Sequence, residues 1–169
     1  MVDRLPGAER ADAVSIQDVL DDLVTVGRRV VVLDDLGDWR GLGTALHLAE
    51  RGHQVTIVSS AAVIGGALFH SAADLPLRRR FAAAGGVLRP NTVVMGWDGG
   101  SASVRDTLTG EDDGLAADTL VIAETPVSET TLADELRARG LPFEAIGDCV
   151  APRRASLAIY EGRELALRV

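Results

Sequence analysis

Two stretches of the chain hold residues whose types and spacing suit chemistry. In the first, the apolar run Val30-Val31-Val32-Leu33 leads into Asp34-Asp35-Leu36-Gly37-Asp38-Trp39-Arg40-Gly41; in the second, Gly147-Asp148 precedes Cys149. A buried strand that passes through a glycine-bearing turn into a helix is the layout in which backbone N–H groups at a helix amino terminus receive a pyrophosphate. Glycines at fixed offsets let the backbone come close. Counting back from Gly52, which stops the following helix, puts the third such glycine on Gly41 and the first two on Leu36 and Asp38. At the second position Asp38 brings a side chain and a negative charge to the place a diphosphate would occupy. Asp34 and Asp35 add to that charge, and any of these carboxylates can itself take the positive helix end.

Tight binding of NAD(P)H is therefore not expected at this loop. The next strand ends at Val58 and is followed by Ser59-Ser60. Neither the acidic residue that holds an NAD ribose hydroxyl nor the arginine of an NADP site is there. Gly37, Trp39 and Gly41 remain the loop residues that could line a nucleotide, with Trp39 either stacking on an adenine or filling the space a lost nucleotide left. Asp148 has acceptor capacity for a diol, and the competing reading is that it caps a turn before the last helix; both stand. Cys149 is expected to be a small buried residue and not a nucleophile. His47, His53 and His70 show no metal spacing.

These residues need elements to position them. Residues 1–13 are polar and turn-rich, with Pro6-Gly7, and read as a leading loop. Ser15 reads as a helix cap with Asp18 at the third helical position, followed by Ile16, Val19, Leu20 and Leu23 at helical spacing. Residues 29–35 form a strand covered on both faces; Leu42, Ala45, Leu46 and Ala49 mark the buried side of a helix; residues 54–58 give a second strand. Beyond Gly65-Gly66 a helix is expected over 73–84 and a short strand at 87–89. Residues 92–107 then alternate around Asp98-Gly99-Gly100 as a hairpin, and 120–123 form another buried strand. A helix near 131–139, a short strand over 143–146 and a helix over 155–168 close the chain. The expected fold class is α/β: a Rossmann-like parallel sheet with helices on both faces and an inserted antiparallel β-meander.

Composition agrees. The 169 residues suffice for one core of ordinary size, and with 47% hydrophobic but only 4% aromatic residues that core must be built from Val, Leu, Ile and Ala. A net charge of −8 repels a phosphate backbone, so nucleic acid is not an expected partner; Arg78-Arg79-Arg80 reads as a solvated helix face. One cysteine excludes an internal disulfide and fits a reducing, cytoplasmic compartment. No signal-peptide core or membrane-spanning apolar run is visible.

Three stretches carry a resemblance: 30–37 with 48–56; Asp118-Thr119-Leu120-Val121-Ile122-Ala123; and 146–154, Ile146-Gly147-Asp148-Cys149-Val150-Ala151-Pro152-Arg153-Arg154, with Ala158-Ile159-Tyr160-Glu161-Gly162. In this order they resemble the carboxy-terminal, dinucleotide-binding-like part of the trimethylamine dehydrogenase and 2,4-dienoyl-CoA reductase family. Members of that family join an FMN-bearing TIM barrel with an iron–sulfur cluster to a glutathione-reductase-like pair of nucleotide-binding domains. The resemblance implies that residues 26–124 are an NAD-like Rossmann domain, with 1–25 and 125–169 as flanking fragments of an FAD- or ADP-binding-like domain whose first βαβ lies outside the match. It also implies that Gly147-Asp148 directs a carboxylate to the sugar hydroxyls of FAD or ADP. FMN and the iron–sulfur cluster would belong to a partner, a larger flavoprotein subunit, with an electron-transfer flavoprotein as a further candidate. The expected function is a subunit or domain of a flavin-dependent oxidoreductase that supplies nucleotide binding or electron-carrier docking and not the chemistry. The alternatives are a ligand-free interaction module or a stand-alone NAD(P)H-binding reductase component.

Overall fold

In the computed structural model, which describes residues 5–123 and 126–168, the chain divides into two compact units, 1–124 and 125–169. The first unit is built on a five-stranded parallel sheet. Its strands are β1 (Ala13–Ser15), β2 (Arg29–Asp34), β3 (Gln54–Val58), β4 (Val87–Arg89) and β8 (Thr119–Ala123), in the order β1-β8-β2-β3-β4. Helices α1 (Ile16–Leu20), α2 (Trp39–Glu50) and α3 (Asp74–Ala83) and a 3-10 turn (Gly66–Ser71) connect them. A three-stranded antiparallel sheet, β5 (Thr92–Trp97), β6 (Ser101–Asp106) and β7 (Asp112–Ala116), is inserted between β4 and β8.

Strand alternation sorts the core into two layers. Val30, Val32, Val55, Ile57 and Val121 face Val19 of α1, Leu42, Ala45 and Leu46 of α2, and Leu77 and Phe81 of α3. Val31, Val58, Leu120 and Ile122 face Trp97, Ala102 and Val104 of the antiparallel sheet. The α/β Rossmann-like class is as expected, with one difference in layering: within this unit α1 to α3 share one face, and the β-meander takes the second. Val32, Ile57 and Leu120 are completely buried, and each such side chain contributes about 1.5–3 kcal/mol of transfer free energy.

Two strands escape sequence reading. β1 lies in what reads as the leading loop, and it exists because Ala13, Val14 and Ser15 align with Leu120, Val121 and Ile122 of β8. β7 contains Asp112, Asp113 and Gly114, poor strand formers. It is held by its antiparallel ladder with β6, with the exposed ion pairs Arg105–Asp112 and Arg89–Asp113 across it. The expected capping box of α1 is present: Ser15 Oγ accepts from Asp18 N, and the Asp18 carboxylate accepts from Ser15 N.

The second unit holds α4 (Thr131–Ala138), a 3-10 turn (Gly147–Cys149) and α5 (Ala155–Ala166). The strand expected over 143–146 is not formed. A strand needs a neighbour to take its N–H and C=O groups, and this unit offers no other strand among its described residues.

Candidate functional site

In open parallel sheets, ligands bind outside the carboxyl ends of the strands where the strand order reverses. Here the chain runs from β2 outward to β3 and β4 and then returns to β8 on the other side of β2, which places that point between β2 and β8. Asp34, the last residue of β2, is aligned with Ala123, the last of β8. The turn that follows is the glycine-bearing loop singled out above.

Asp34 is fully buried. Its Oδ1 accepts from Leu36 N at 3.1 Å and Gly37 N at 2.9 Å. Its Oδ2 has no hydrogen-bond partner among the described residues. Burial pushes this carboxyl above the ordinary aspartate range; the two N–H donors work against that rise, and Asp38 and Asp35 add to it. Burial also raises Asp35. Asp38 is the cap of α2, accepting from Arg40 N at 2.8 Å and pairing with the Arg40 guanidinium at 2.8 Å. Gly37 has its C=O bonded to Ala67 N at 2.9 Å, which ties the turn to the 3-10 segment. Gly41 packs directly on Asp34: a β-carbon at 41 would collide with Oδ1 and Cγ. Trp39, the first residue of α2, is 56% exposed, so it fills no interior gap.

Gly147 and Asp148 lie in the second unit. Gly147 has φ +70°, and its N–H donates to Glu161 Oε2 at 2.6 Å. Glu161 also pairs with Arg153. The Gly147 N–H, and then Arg153, hold the Glu161 carboxyl below its ordinary range. Asp148 is exposed and accepts from Arg153 N at 3.3 Å. Cys149, expected to be buried, is exposed. Its Sγ–H donates to Ile146 O at 3.0 Å, because the 3-10 turn carries the side chain back along its own backbone instead of into a core. Glu161 and Arg153 are the residues sequence reading passed over here; only the fold of α5 back along the turn joins them to Gly147.

The remaining candidates are structural. His47 Nε2 lies 3.0 Å from Arg51 Nη1, and His53 Nδ1 lies 2.7 Å from Gly27 O. Arg78 pairs with Asp74 and Arg80 with Glu50, both at 2.6 Å. Among the described residues no group of three His, Cys, Asp or Glu side chains is arranged to hold a metal, and no helix is long and apolar enough to cross a membrane.

No family model and no curated protein sequence matches the chain. Solved structures do. The structure of 6-hydroxypseudooxynicotine amine oxidase from Pseudomonas geniculata N1 superimposes with a TM-score of 0.89 and 27% identity, covering 95% of this chain and 25% of that one. Histamine dehydrogenase from Rhizobium sp. 4-9 follows at 0.85 and 24%, covering 90% and 25%; 2-naphthoyl-CoA reductase, in complex with 2-naphthoyl-CoA, at 0.83 and 25%, covering 98% and 25%. These three proteins are members of the trimethylamine dehydrogenase and 2,4-dienoyl-CoA reductase family, and the chain is similar to them. It corresponds to the carboxy-terminal part of these family members and spans about a quarter of their length. What this likeness adds to the geometry is context: a Rossmann-like unit similar to one part of larger oxidoreductases.

Proposed function

We propose that the chain is a nucleotide-binding-like subunit or domain of a flavin-dependent oxidoreductase acting on amines or enoyl-type substrates, supplying nucleotide binding or electron-carrier docking and no reacting group of its own. The observation that carries this reading is the match of 95% of the chain to 25% of an amine oxidase at a TM-score of 0.89. In this reading residues 26–124 are the NAD-like domain and 1–25 and 125–169 are flanks of an FAD- or ADP-binding-like domain, in a cytoplasmic protein. A larger flavoprotein chain supplies FMN and the iron–sulfur cluster, and an electron-transfer flavoprotein is the carrier that docks.

The two loops differ in their fit to a nucleotide. At the β2–α2 turn the amides that would meet a diphosphate are taken by Asp34 and Asp38, so NAD(P)H does not fit and no step runs through it. At Gly147-Asp148 the fit is better. Gly147 is buried against Ala158 with its N–H on Glu161, but the exposed Asp148 carboxylate, which spends one acceptor site on Arg153 N, keeps capacity for a pair of sugar hydroxyls. FAD or ADP would be held there, Asp148 orienting the sugar; any redox chemistry would be supplied by flavin.

The test is co-expression with the genomic neighbours, followed by absorbance of the eluted complex and an ADP titration of parent and Asp148→Asn. A yellow or brown partner and a loss of ADP affinity in the variant are expected. A colourless monomer that binds no ADP overturns the reading in favour of the ligand-free interaction module, which the self-satisfied β2–α2 turn favours.

A further inference from the structure

We propose that Asp34 is the residue that keeps the β2–α2 turn shut against phosphates: its carboxylate stands in for an external anion, and replacing it uncovers a latent diphosphate site. This goes beyond the reading above, which places nucleotide at Asp148. Three N–H groups of the turn and first helical residues are the backbone donors a phosphate at this helix end would compete for, those of Leu36, Gly37 and Arg40. The chain's own carboxylates take all three, two at Asp34 Oδ1 and one at Asp38 Oδ1.

The two aspartates are not equivalent. Asp38 is a solvent-facing helix cap of the ordinary kind, paired with an exposed arginine, and a competing anion can displace such a cap at modest cost. Asp34 cannot swing away. It is fully buried, with Gly41 of α2 packed against its carboxyl, and the turn is folded over it by the Gly37 C=O to Ala67 N–H bond. An acid with one oxygen unpartnered among the described residues, at the end of a strand whose interior is Val-Val-Val-Leu, is a costly choice for a core position. What it does there is draw the two turn amides inward. A valine at 34 would continue the apolar run and leave those amides free to face a ligand at the mouth of the sheet.

The probe is inorganic pyrophosphate, which has no sugar for Asp148, and the readout is the amide signals of Leu36, Gly37 and Arg40, measured in an Asp148→Asn background. Parent and Asp38→Gly should show no shift at millimolar pyrophosphate. Asp34→Val with Asp38→Gly should bind at least about tenfold tighter, a change of roughly 1.4 kcal/mol. Asp34→Asn with Asp38→Gly should stay shut, since the amide oxygen still accepts both N–H groups. Binding by Asp38→Gly alone, or a folded Asp34→Val/Asp38→Gly protein that binds no better than the parent, overturns the proposal. If the valine variant does not fold, hydrogen exchange in the parent decides. Leu36 and Gly37 amides must be protected and indifferent to pyrophosphate; fast exchange slowed by pyrophosphate refutes the assignment.

Discussion

Gly41 on α2 and Asp34 at the end of β2 share one space: the carboxyl of Asp34 occupies the volume a β-carbon at position 41 would need. The helix can lie on the strand end only because residue 41 has no side chain. Gly41→Ala should therefore cost stability by overpacking, about 1–3 kcal/mol, although alanine is the better helix former. Urea unfolding measures it. In a double-mutant cycle with Asp34→Ala the cost should shrink markedly; an undiminished cost would mean the collision is with something else.

Asp34 also makes a pH prediction. Its carboxyl is raised in the folded state, chiefly by burial, so protonation favours folding. That support is complete below the ordinary aspartate pKa and is withdrawn as pH rises through the raised folded value. Asp34→Asn cannot ionise, so its stability relative to the parent should improve from about pH 4 upward and level off once the parent's Asp34 is ionised. Acids with lowered values, such as Asp12 beside Trp97 and Arg10 or Asp118 beside Arg29, push the other way. They cancel when the variant is compared with the parent at each pH. A difference that does not change with pH would show that Asp34 does not titrate on folding.

Calorimetric titration of the unaltered chain with NADH and with NADPH should give no dissociation constant in the micromolar range, which would correspond to about −8 kcal/mol. The amides of the turn and first helical residues are already bonded and Asp38 is negative, so a diphosphate would have to displace an anion while carrying charge of the same sign.

Gly147→Ala places a β-carbon on a residue with φ +70°, 3.3 Å from Ala158 Cβ. The left-handed backbone costs an alanine about 1–2 kcal/mol. The loss should appear as faster hydrogen exchange over 147–166, with the parallel sheet unaffected. Uniform protection in both proteins would mean that the turn relaxes without strain.

The parts of this fold that are legible in the sequence are those whose signal is local. β2 announces itself by unbroken Val and Leu, β3 by the β-branched run Val55-Thr56-Ile57-Val58, and α1 by its Ser15/Asp18 box. β1 is three residues long and owes its strand geometry to β8, a partner more than a hundred positions away. β7 owes its own to pairing with β6, flanked by arginines on β6 and β4. Residues 143–146 carry strand-like side chains without a strand beside them. At the site, the excess of negative charge around Asp38 was visible, and so was the register that assigns Gly41. The inward direction of Asp34 was readable too, from parity: Val30 and Val32 face the helices, and residue 34 follows them at the same spacing. The Glu161–Gly147 bond was not readable, because it depends on α5 folding back along the turn.

The last prediction concerns what covers the second unit. Neither α4 nor α5 has a buried residue, and Leu132, Ile159, Tyr160 and Leu167 are each more than half exposed. Apolar side chains grouped on a short unit are expected to associate when nothing shields them. The subunit reading assigns the shield to a larger flavoprotein chain. Purified alone, the chain should then show concentration-dependent self-association in analytical ultracentrifugation. Ile159→Ser with Leu167→Ser should reduce it and should equally weaken capture of a co-expressed flavoprotein, while leaving the cooperative unfolding of residues 5–123 unchanged. A parent that stays monomeric at high concentration, or a variant that still captures the flavoprotein at full yield, would show that these side chains are not the contact.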